Sequence, residues 1–143
     1  MQFRRKGIDP KVLGLVETMN NAGFITHASC QGHGLPVSQL KPYVAFRCDT
    51  GQAGVLEALL RKDAESVSPE LKWGWQITAS FDENINLVFT LQANNPHEKR
   101  YHWMRSSVDH DLITLSYFII KAVELRNHLG NRTCFIKPEN KGN

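Results

Sequence analysis

The sequence predicts a single α+β domain of order α-β-β-α-β-β-α, with helices packed on one face of a mostly antiparallel sheet. Three observations predict this class. Apolar residues recur at helical spacing in three segments, two runs within 73–91 alternate with period two, and two shorter apolar segments flank a loop rich in glycine and proline. The 143 residues fit one domain, 1–143, and we expect flexible ends at 1–8 and 138–143.

The first helix is predicted over about 10–22, because Asp9 is a favourable N-cap, Pro10 suits the first helical position and Gly23 favours a stop. The next elements are a strand at 24–29, a loop at 30–42, a strand at 43–48 and a helix at 52–64 capped by Asp49 or Thr50. A loop of about a dozen residues inside a compact domain is more often functional than incidental.

A β-hairpin is the clearest element of the second half. Its two arms alternate on either side of a turn at 82–84. The apolar positions that we expect on one buried face are Trp73, Trp75, Ile77, Ala79, Phe81, Ile85, Leu87, Phe89 and Leu91.

The last helix is predicted to begin at Ser107 as its N-cap, with Asp109 and Asp111 in a first turn where carboxylates complement the helix dipole. Gly130 is expected to end it, and 133–136 to add a short edge strand. Its expected core positions are Leu112, Leu115, Ile119, Ala122 and Val123, widened by Ile113, Phe118 and Ile120.

The composition is that of an ordinary globular protein, with 41% hydrophobic and 22% charged residues. A net charge of +3 permits an acidic partner without requiring one. No apolar run reaches the roughly 18 residues that cross a bilayer, so we expect no membrane partner. Three cysteines form no disulfide framework, and with no signal-peptide pattern at the start they predict reduced thiols and a cytoplasmic location.

The stretch GFITHASCQGHG, residues 23–34, contains most of the residues that could bind a metal or take part in catalysis. His27, Cys30 and His33 offer three metal ligands, and Cys48 at the end of the next strand could be a fourth. Zinc accepts such a mixture of sulfur and nitrogen. A structural turn without metal is the competing interpretation.

Two further interpretations concern the same turn. Cys30 could be a reactive thiol with Ser29 and His33 as catalytic partners, where His33 acts as general acid or base, or it could be an inert buried cysteine. Gln31, Gly32 and Gly34 could form a loop that holds a ligand through backbone N–H groups. The glycines could equally be required only for a positive φ in a tight turn.

A second candidate segment, 94–106, interleaves basic and aromatic residues. Lys99, Arg100 and Arg105 around Tyr101 and Trp103 are typical of a nucleic-acid contact, in which cations meet phosphates and rings stack on bases. The alternative is a solvated loop with Trp103 packed into the core.

With helix, strand, SCQGH turn and second strand in this order, residues 10–47 resemble a group of small bacterial and phage proteins. These share a Gly-aromatic-x-Thr strand, a Ser/Cys-Cys-x-Gly-His turn and a Tyr-x-x-Phe strand. More distantly, the segment is similar to the wybutosine-synthesising protein 3 family of tRNA-modifying methyltransferases, which have a Ser-Cys-Ser-Gly-Arg turn. The resemblance implies an active-site turn at Ser29, Cys30, Gly32 and His33, with S-adenosylmethionine as methyl donor and His33 at the position of the arginine.

Three hypotheses for function follow. The first is a nucleic-acid- or nucleotide-linked protein with a ligand pocket at the SCQGH turn, which the resemblance extends to RNA modification by methyl transfer. The second is a phage- or plasmid-encoded inhibitor that binds a host protein without catalysis. The third is a zinc-stabilised structural domain. A homodimer through the exposed sheet edge is compatible with each of them.

Overall fold

The computed structural model describes the backbone of residues 7–141 and the side chains of residues 7–129. Its helices and strands are α1 Pro10–Asn21, β1 Ile25–Cys30, β2 Tyr43–Arg47, α2 Thr50–Ala64, β3 Trp73–Phe81, β4 Leu87–Pro96 and α3 Arg105–Lys141. Short 3-10 helices occupy Val37–Gln39 and Lys99–Trp103. The α+β class and the predicted order of elements are confirmed. The terminal residues 1–6 and 142–143, on which part of the expectation of flexible ends falls, lie outside the described residues.

The four strands form one antiparallel sheet in the order β1-β2-β4-β3. Helix α3 packs against both α1 and α2, and the three helices enclose the core against one face of the sheet. The largest fully buried side chains of this core are Trp73, Phe24, Phe46, Leu15, Met19, Leu56, Leu60, Leu71, Leu91, Leu115, Ile119 and Val12. No helix within residues 7–141 is both long and apolar enough to span a membrane.

The hairpin is buried only at the end away from its turn, which corrects the prediction of one continuous buried face. Trp73 and Trp75 are buried, whereas Phe81 and Ile85 are 69% and 78% exposed. Helix α2 covers β3 as far as Ile77, whose backbone N–H donates to the Glu57 carboxylate at 2.8 Å. The alternation continues past this point because the strands continue, but the helix layer does not cover their far ends.

Helix α3 differs from its prediction at both ends. It begins at Arg105, and Ser107 is a buried side chain rather than an N-cap: its hydroxyl accepts from Trp73 Nε1 at 2.9 Å and donates to Met104 O at 2.7 Å. The helix continues through Gly130, so the predicted edge strand at 133–136 is wrong. A glycine weakens a helix by about 1 kcal/mol relative to alanine, which does not force it to stop.

The exposed and buried faces of α3 also depart from expectation. Ile113 and Ile120, predicted to widen the core, are 66% and 48% exposed, while the predicted core positions Leu112, Leu115, Ile119 and Ala122 are buried. Asp109 and Asp111 were predicted in the first turn, but the helix begins at Arg105 and its first turn holds no acidic residue. Asp111 is fully buried. Its carboxylate joins α3 to β3, accepting the backbone N–H groups of Lys72 and Trp73 and the indole N–H of Trp75.

Candidate metal centre

The start of α1 and the SCQGHG turn are joined by two hydrogen bonds, one in each direction. Asp9 occupies the N-cap position, as predicted, but its side chain makes no capping bond to its own helix. The Asp9 carboxylate accepts instead from the Gln31 backbone N–H at 3.0 Å. In return, Gln31 Oε1 accepts from the Lys11 backbone N–H at 2.8 Å, which supplies the missing cap.

Arg105, at the start of α3, holds the same turn from another direction. Its Nη2 donates to the backbone carbonyls of Gln31 at 3.0 Å and Gly32 at 2.8 Å, and its Nη1 lies 3.5 Å from the Gly34 carbonyl. A planar guanidinium is suited to several acceptors in fixed geometry. The predicted role of Arg105 as a phosphate contact therefore competes with these three carbonyls for its donors.

Gly32 is required by space as well as by backbone conformation. Its φ is +80°, and a Cβ added there would lie 2.8 Å from Leu40 O and 3.0 Å from Pro42 N. The neighbouring His33 N–H donates to the same Leu40 carbonyl at 3.1 Å. The close approach predicted for a ligand is thus an approach to the protein's own loop, which favours the alternative that glycine is needed for the turn.

Three side chains converge where these segments meet. One ligand atom each from Asp9, Cys30 and His33 lie within 4.8 Å of one another. His33 Nε2 is 3.4 Å from Asp9 Oδ2, and the Gly32 backbone N–H donates to Cys30 Sγ at 3.3 Å. Of the predicted metal ligands, the structure brings Cys30 and His33 together and adds Asp9, which the sequence had identified only as a helix cap.

The other two predicted ligands do not join this group. His27 is exposed, at the point where the β1–β2 register shifts. Cys30 pairs with Tyr43 at one end of β2, whereas Cys48 follows the opposite end. Burial, with a smaller contribution from the Asp49 charge, raises the pKa of Cys48 to about 11, so this thiol stays protonated at neutral pH and is a poor ligand.

Ser29, predicted as a catalytic partner of Cys30, lies on the other face of β1. It pairs with Val44, whose side chain is in the core, and successive residues of a strand face opposite sides of the sheet. The chain beyond Cys30 bends into the turn, and it is this bend that brings His33 back toward Cys30 and Asp9. The predicted pair Cys30 and His33 is therefore close in space, and Ser29 is not part of the group.

The predicted basic-aromatic segment is arranged differently from the expected nucleic-acid contact. The Tyr101 ring is 7% exposed, with Lys72 Nζ and Arg100 Cζ 5.4 and 5.3 Å from its centroid, and its hydroxyl donates to Glu98 at 3.0 Å. Tyr101 is therefore not free to stack on a base. Trp103, which the alternative interpretation packed into the core, is instead 63% exposed.

Comparison of the chain with protein-family models, with curated proteins and with solved structures found no match. The resemblance of residues 10–47 to the wybutosine-synthesising protein 3 family stays a prediction.

Proposed function

We propose that this protein binds a divalent transition metal, with Zn²⁺ the best match, through Asp9, Cys30 and His33. The observation that carries the proposal is the convergence of a carboxylate, a thiol and an imidazole within 4.8 Å. Zinc is the biological cation that most readily accepts oxygen, sulfur and nitrogen ligands together. The proposal refines the zinc hypothesis by replacing His27 and Cys48 with Asp9.

The spacing of the three atoms supports a metal of this size. In a tetrahedron with zinc bonds of about 2.0–2.3 Å, ligand atoms lie roughly 3.3–3.7 Å apart. The 3.4 Å separation of His33 Nε2 from Asp9 Oδ2 already falls in that range. The remaining pairs, within 4.8 Å, need to close by about 1 Å at most, which side-chain rotation can supply.

The diverted cap of α1 supports the proposal independently. An Asp at an N-cap stabilises its helix by roughly 1 kcal/mol when its carboxylate accepts from the helix N–H groups. Asp9 makes no such bond, and Gln31 performs the capping from outside the helix. The carboxylate is thereby held beside Cys30 and His33, with one of its oxygens bonded to the Gln31 N–H.

The Gly32 N–H donates to Cys30 Sγ, an arrangement compatible with a metal-bound cysteine. A backbone N–H that points at sulfur stabilises the negative form of the thiol, which is the form that binds metal. Gly32 can turn its N–H toward Cys30 Sγ because its φ of +80° is open to glycine. The turn therefore presents its cysteine in the arrangement that a metal-binding cysteine needs.

The test is a competitive zinc titration against a chromophoric chelator, on wild type and on single variants. We expect one zinc per chain in wild type, and at least about 100-fold weaker binding in Asp9→Asn, Cys30→Ser and His33→Ala, because each removes one of three ligands. His27→Ala and Cys48→Ser are matched controls of the same residue types, and they should bind as wild type. Wild-type binding that is no tighter than that of Asp9→Asn, Cys30→Ser and His33→Ala would contradict the proposal.

A second candidate function rests on Trp103. This ring is exposed on the segment that also carries exposed Lys99 and Arg100, although Arg100 is bonded to Glu98 at 2.8 Å. An exposed indole beside cations supports the proposed nucleic-acid link, because bases stack on aromatic side chains while cations meet phosphates. Methyl transfer to RNA rests on the resemblance alone.

Tryptophan fluorescence tests this second candidate selectively, because Trp73 and Trp75 are buried and Trp103 is exposed. A single-stranded oligonucleotide that stacks on Trp103 should quench the exposed component, and the affinity should fall steeply with salt. Trp103→Ala should abolish the quenching, whereas Phe81→Ala, an exposed ring at the hairpin tip, should not. Quenching that is absent at low salt would exclude this candidate.

A further inference from the structure

We infer that the metal held by Asp9, Cys30 and His33 keeps its fourth coordination position open, and that this position takes a thiol, bound as its thiolate. The inference rests on the proposed metal site and goes beyond it by naming the class of ligand. It separates a site that only stabilises the fold from a site that receives a molecule from solution.

The number of protein ligands is the first step. Structural zinc sites are closed by four protein ligands, whereas sites that receive an outside ligand have three. Among the side chains of residues 7–129, Asp9, Cys30 and His33 form the one group of three or more His, Cys, Asp and Glu residues close enough to share a metal, and it has three members. The side-chain oxygen of Gln31, on the same turn, already accepts the Lys11 N–H at 2.8 Å.

The exposure of the ligands is the second step. The side chains of His33 and Asp9 are 53% and 31% exposed, so solvent reaches the group from at least one side. A metal with three ligands in this position would complete its tetrahedron with water. Water bound in this way can be displaced without any movement of the backbone.

The charge of the ligand set is the third step, and it selects the kind of ligand. Asp9 and the Cys30 thiolate together cancel the two charges of Zn²⁺, so the metal polarises a bound water less than it would with three neutral imidazoles. A site of this kind is poorly suited to making hydroxide at neutral pH. It is well suited to a soft sulfur donor, which forms a strong bond to zinc and keeps high electron density when bound.

Zn²⁺ with Asp9, the Cys30 thiolate and a bound thiolate would carry a single negative charge, and the surroundings of the site accommodate that charge. Arg105 lies against the turn, with its Nη2 donating to Gly32 O at 2.8 Å, and the N-terminus of α1 carries the positive end of the helix dipole. Binding is balanced as follows: the thiol R–SH displaces the metal-bound water, its sulfur forms the bond to the metal, and its proton passes to solvent.

The apolar side chains near the turn favour a thiol that carries an apolar or aromatic group. Large apolar side chains that are partly exposed occur on the two segments that Arg105 joins. They are Leu35 at 47%, Leu40 at 48%, Trp103 at 63% and Met104 at 37%. Leu40 lies beside the turn, because its carbonyl accepts the His33 N–H, and its side chain is the one of these four that we propose to contact an apolar group on the bound sulfur.

Cobalt substitution tests the inference, because Co²⁺ replaces zinc and reports both geometry and sulfur ligation by its absorption. Phenylmethanethiol added to the Co²⁺ protein should about double the sulfur-to-metal charge-transfer band, as thiolate ligands rise from one to two. Phenylmethanol, the matched oxygen compound, should leave this band unchanged. Leu40→Ala should weaken binding of phenylmethanethiol severalfold and leave binding of 2-mercaptoethanol unchanged.

The outcomes separate this inference from the metal site itself. If Co²⁺ does not bind in a manner that depends on Cys30, the proposed metal site is wrong. If Co²⁺ binds with one sulfur and phenylmethanethiol changes nothing, the metal site stands and the inference is overturned. The inference is also overturned if the thiol removes Co²⁺ from the protein, since that is chelation in solution and not a ternary complex.

Discussion

Asp9 and Asp111 lie near the starts of α1 and α3, and each accepts backbone N–H groups from another segment, but their surroundings differ. Asp111 is fully buried and accepts from Lys72 N and Trp73 N at 2.8 Å and from Trp75 Nε1 at 2.9 Å. Three directed donors satisfy this carboxylate. A buried acceptor with this many partners serves the packing of α3 against β3.

Asp9 has one backbone N–H partner, a side chain that is 31% exposed, and the Cys30 and His33 side chains beside it. Its Oδ2, which accepts the Gln31 N–H, is also the atom that lies 3.4 Å from His33 Nε2. The comparison teaches that the position of an aspartate at a helix start does not decide its role. What decides it is how many of its lone pairs the protein itself satisfies.

The largest effect is expected at Asp111. Asp111→Ala leaves three buried N–H groups without an acceptor, and we expect the free energy of unfolding in urea to fall by about 3–5 kcal/mol. Asp109→Ala, on the same helix, removes a partly exposed carboxylate whose partner is Lys11 at 3.5 Å. This control should cost less than about 1 kcal/mol. Equal losses in the two variants would contradict the structural role of Asp111.

The same carboxylate predicts a pH dependence of stability. Burial raises the pKa of Asp111 above its usual 3.8, against the opposing effect of its N–H donors. The folded state therefore binds this proton more tightly than the unfolded state does. The resulting stabilisation is fully present below the unfolded pKa and is lost as pH rises through the folded pKa. Asp111→Asn should remove this dependence, and a wild-type stability that instead rises relative to Asp111→Asn over that range would contradict it.

A smaller loss of stability is expected for a substitution at Gly32. Gly32→Ala introduces a Cβ 2.8 Å from Leu40 O at a φ of +80°, and we expect a loss of about 2–4 kcal/mol, with weaker metal binding because the turn must shift. Gly14→Ala is the matched control, since an added Cβ meets no atom within 4 Å on α1. It should stabilise the protein by about 0.5–1 kcal/mol. Urea unfolding of both variants would show whether the two signs are opposite.

Asp9→Asn should have a still smaller effect when metal is absent. The amide keeps an oxygen for the Gln31 N–H, so we expect a loss of at most about 1 kcal/mol in the presence of a chelator. Added Zn²⁺ at about 100 times its Kd should stabilise wild type by about 2.7 kcal/mol and the variant hardly at all. Thermal unfolding with and without Zn²⁺ measures both quantities. Equal stabilisation of the two proteins by Zn²⁺ would contradict a ligand role for Asp9.

No effect on metal content is expected for Cys48→Ser. With its pKa raised from 9.0 to about 11, Cys48 has roughly 100-fold less thiolate at neutral pH than an unperturbed thiol. In a Cys134→Ser background, the alkylation of Cys48 should therefore be slow, and zinc should protect Cys30 without changing the rate at Cys48. Loss of zinc in Cys48→Ser would contradict the assignment of the ligands.

The helices, the strands and the antiparallel pairing could be predicted because periodicity reports which residues of an element face the core. The exposure of Phe81 and Ile85 could not, since alternation does not show how far a covering layer of helices extends. The burial of Tyr101 and the exposure of Trp103 could not be predicted either, because a 3-10 helix there decides which ring turns inward. Asp9 was missed as a ligand because 21 residues separate it from Cys30, and an Asp-Pro pair is fully explained by a helix start.

X-ray absorption at the zinc edge tests the central claim most directly. The account predicts one sulfur at about 2.3 Å and nitrogen or oxygen ligands at about 2.0–2.1 Å in the zinc-loaded wild type. In Cys30→Ser the sulfur shell should disappear, whereas in Cys48→Ser it should remain. A zinc with two or more protein sulfurs, or a sulfur shell that survives in Cys30→Ser, would contradict the assignment of Asp9, Cys30 and His33 as the metal centre.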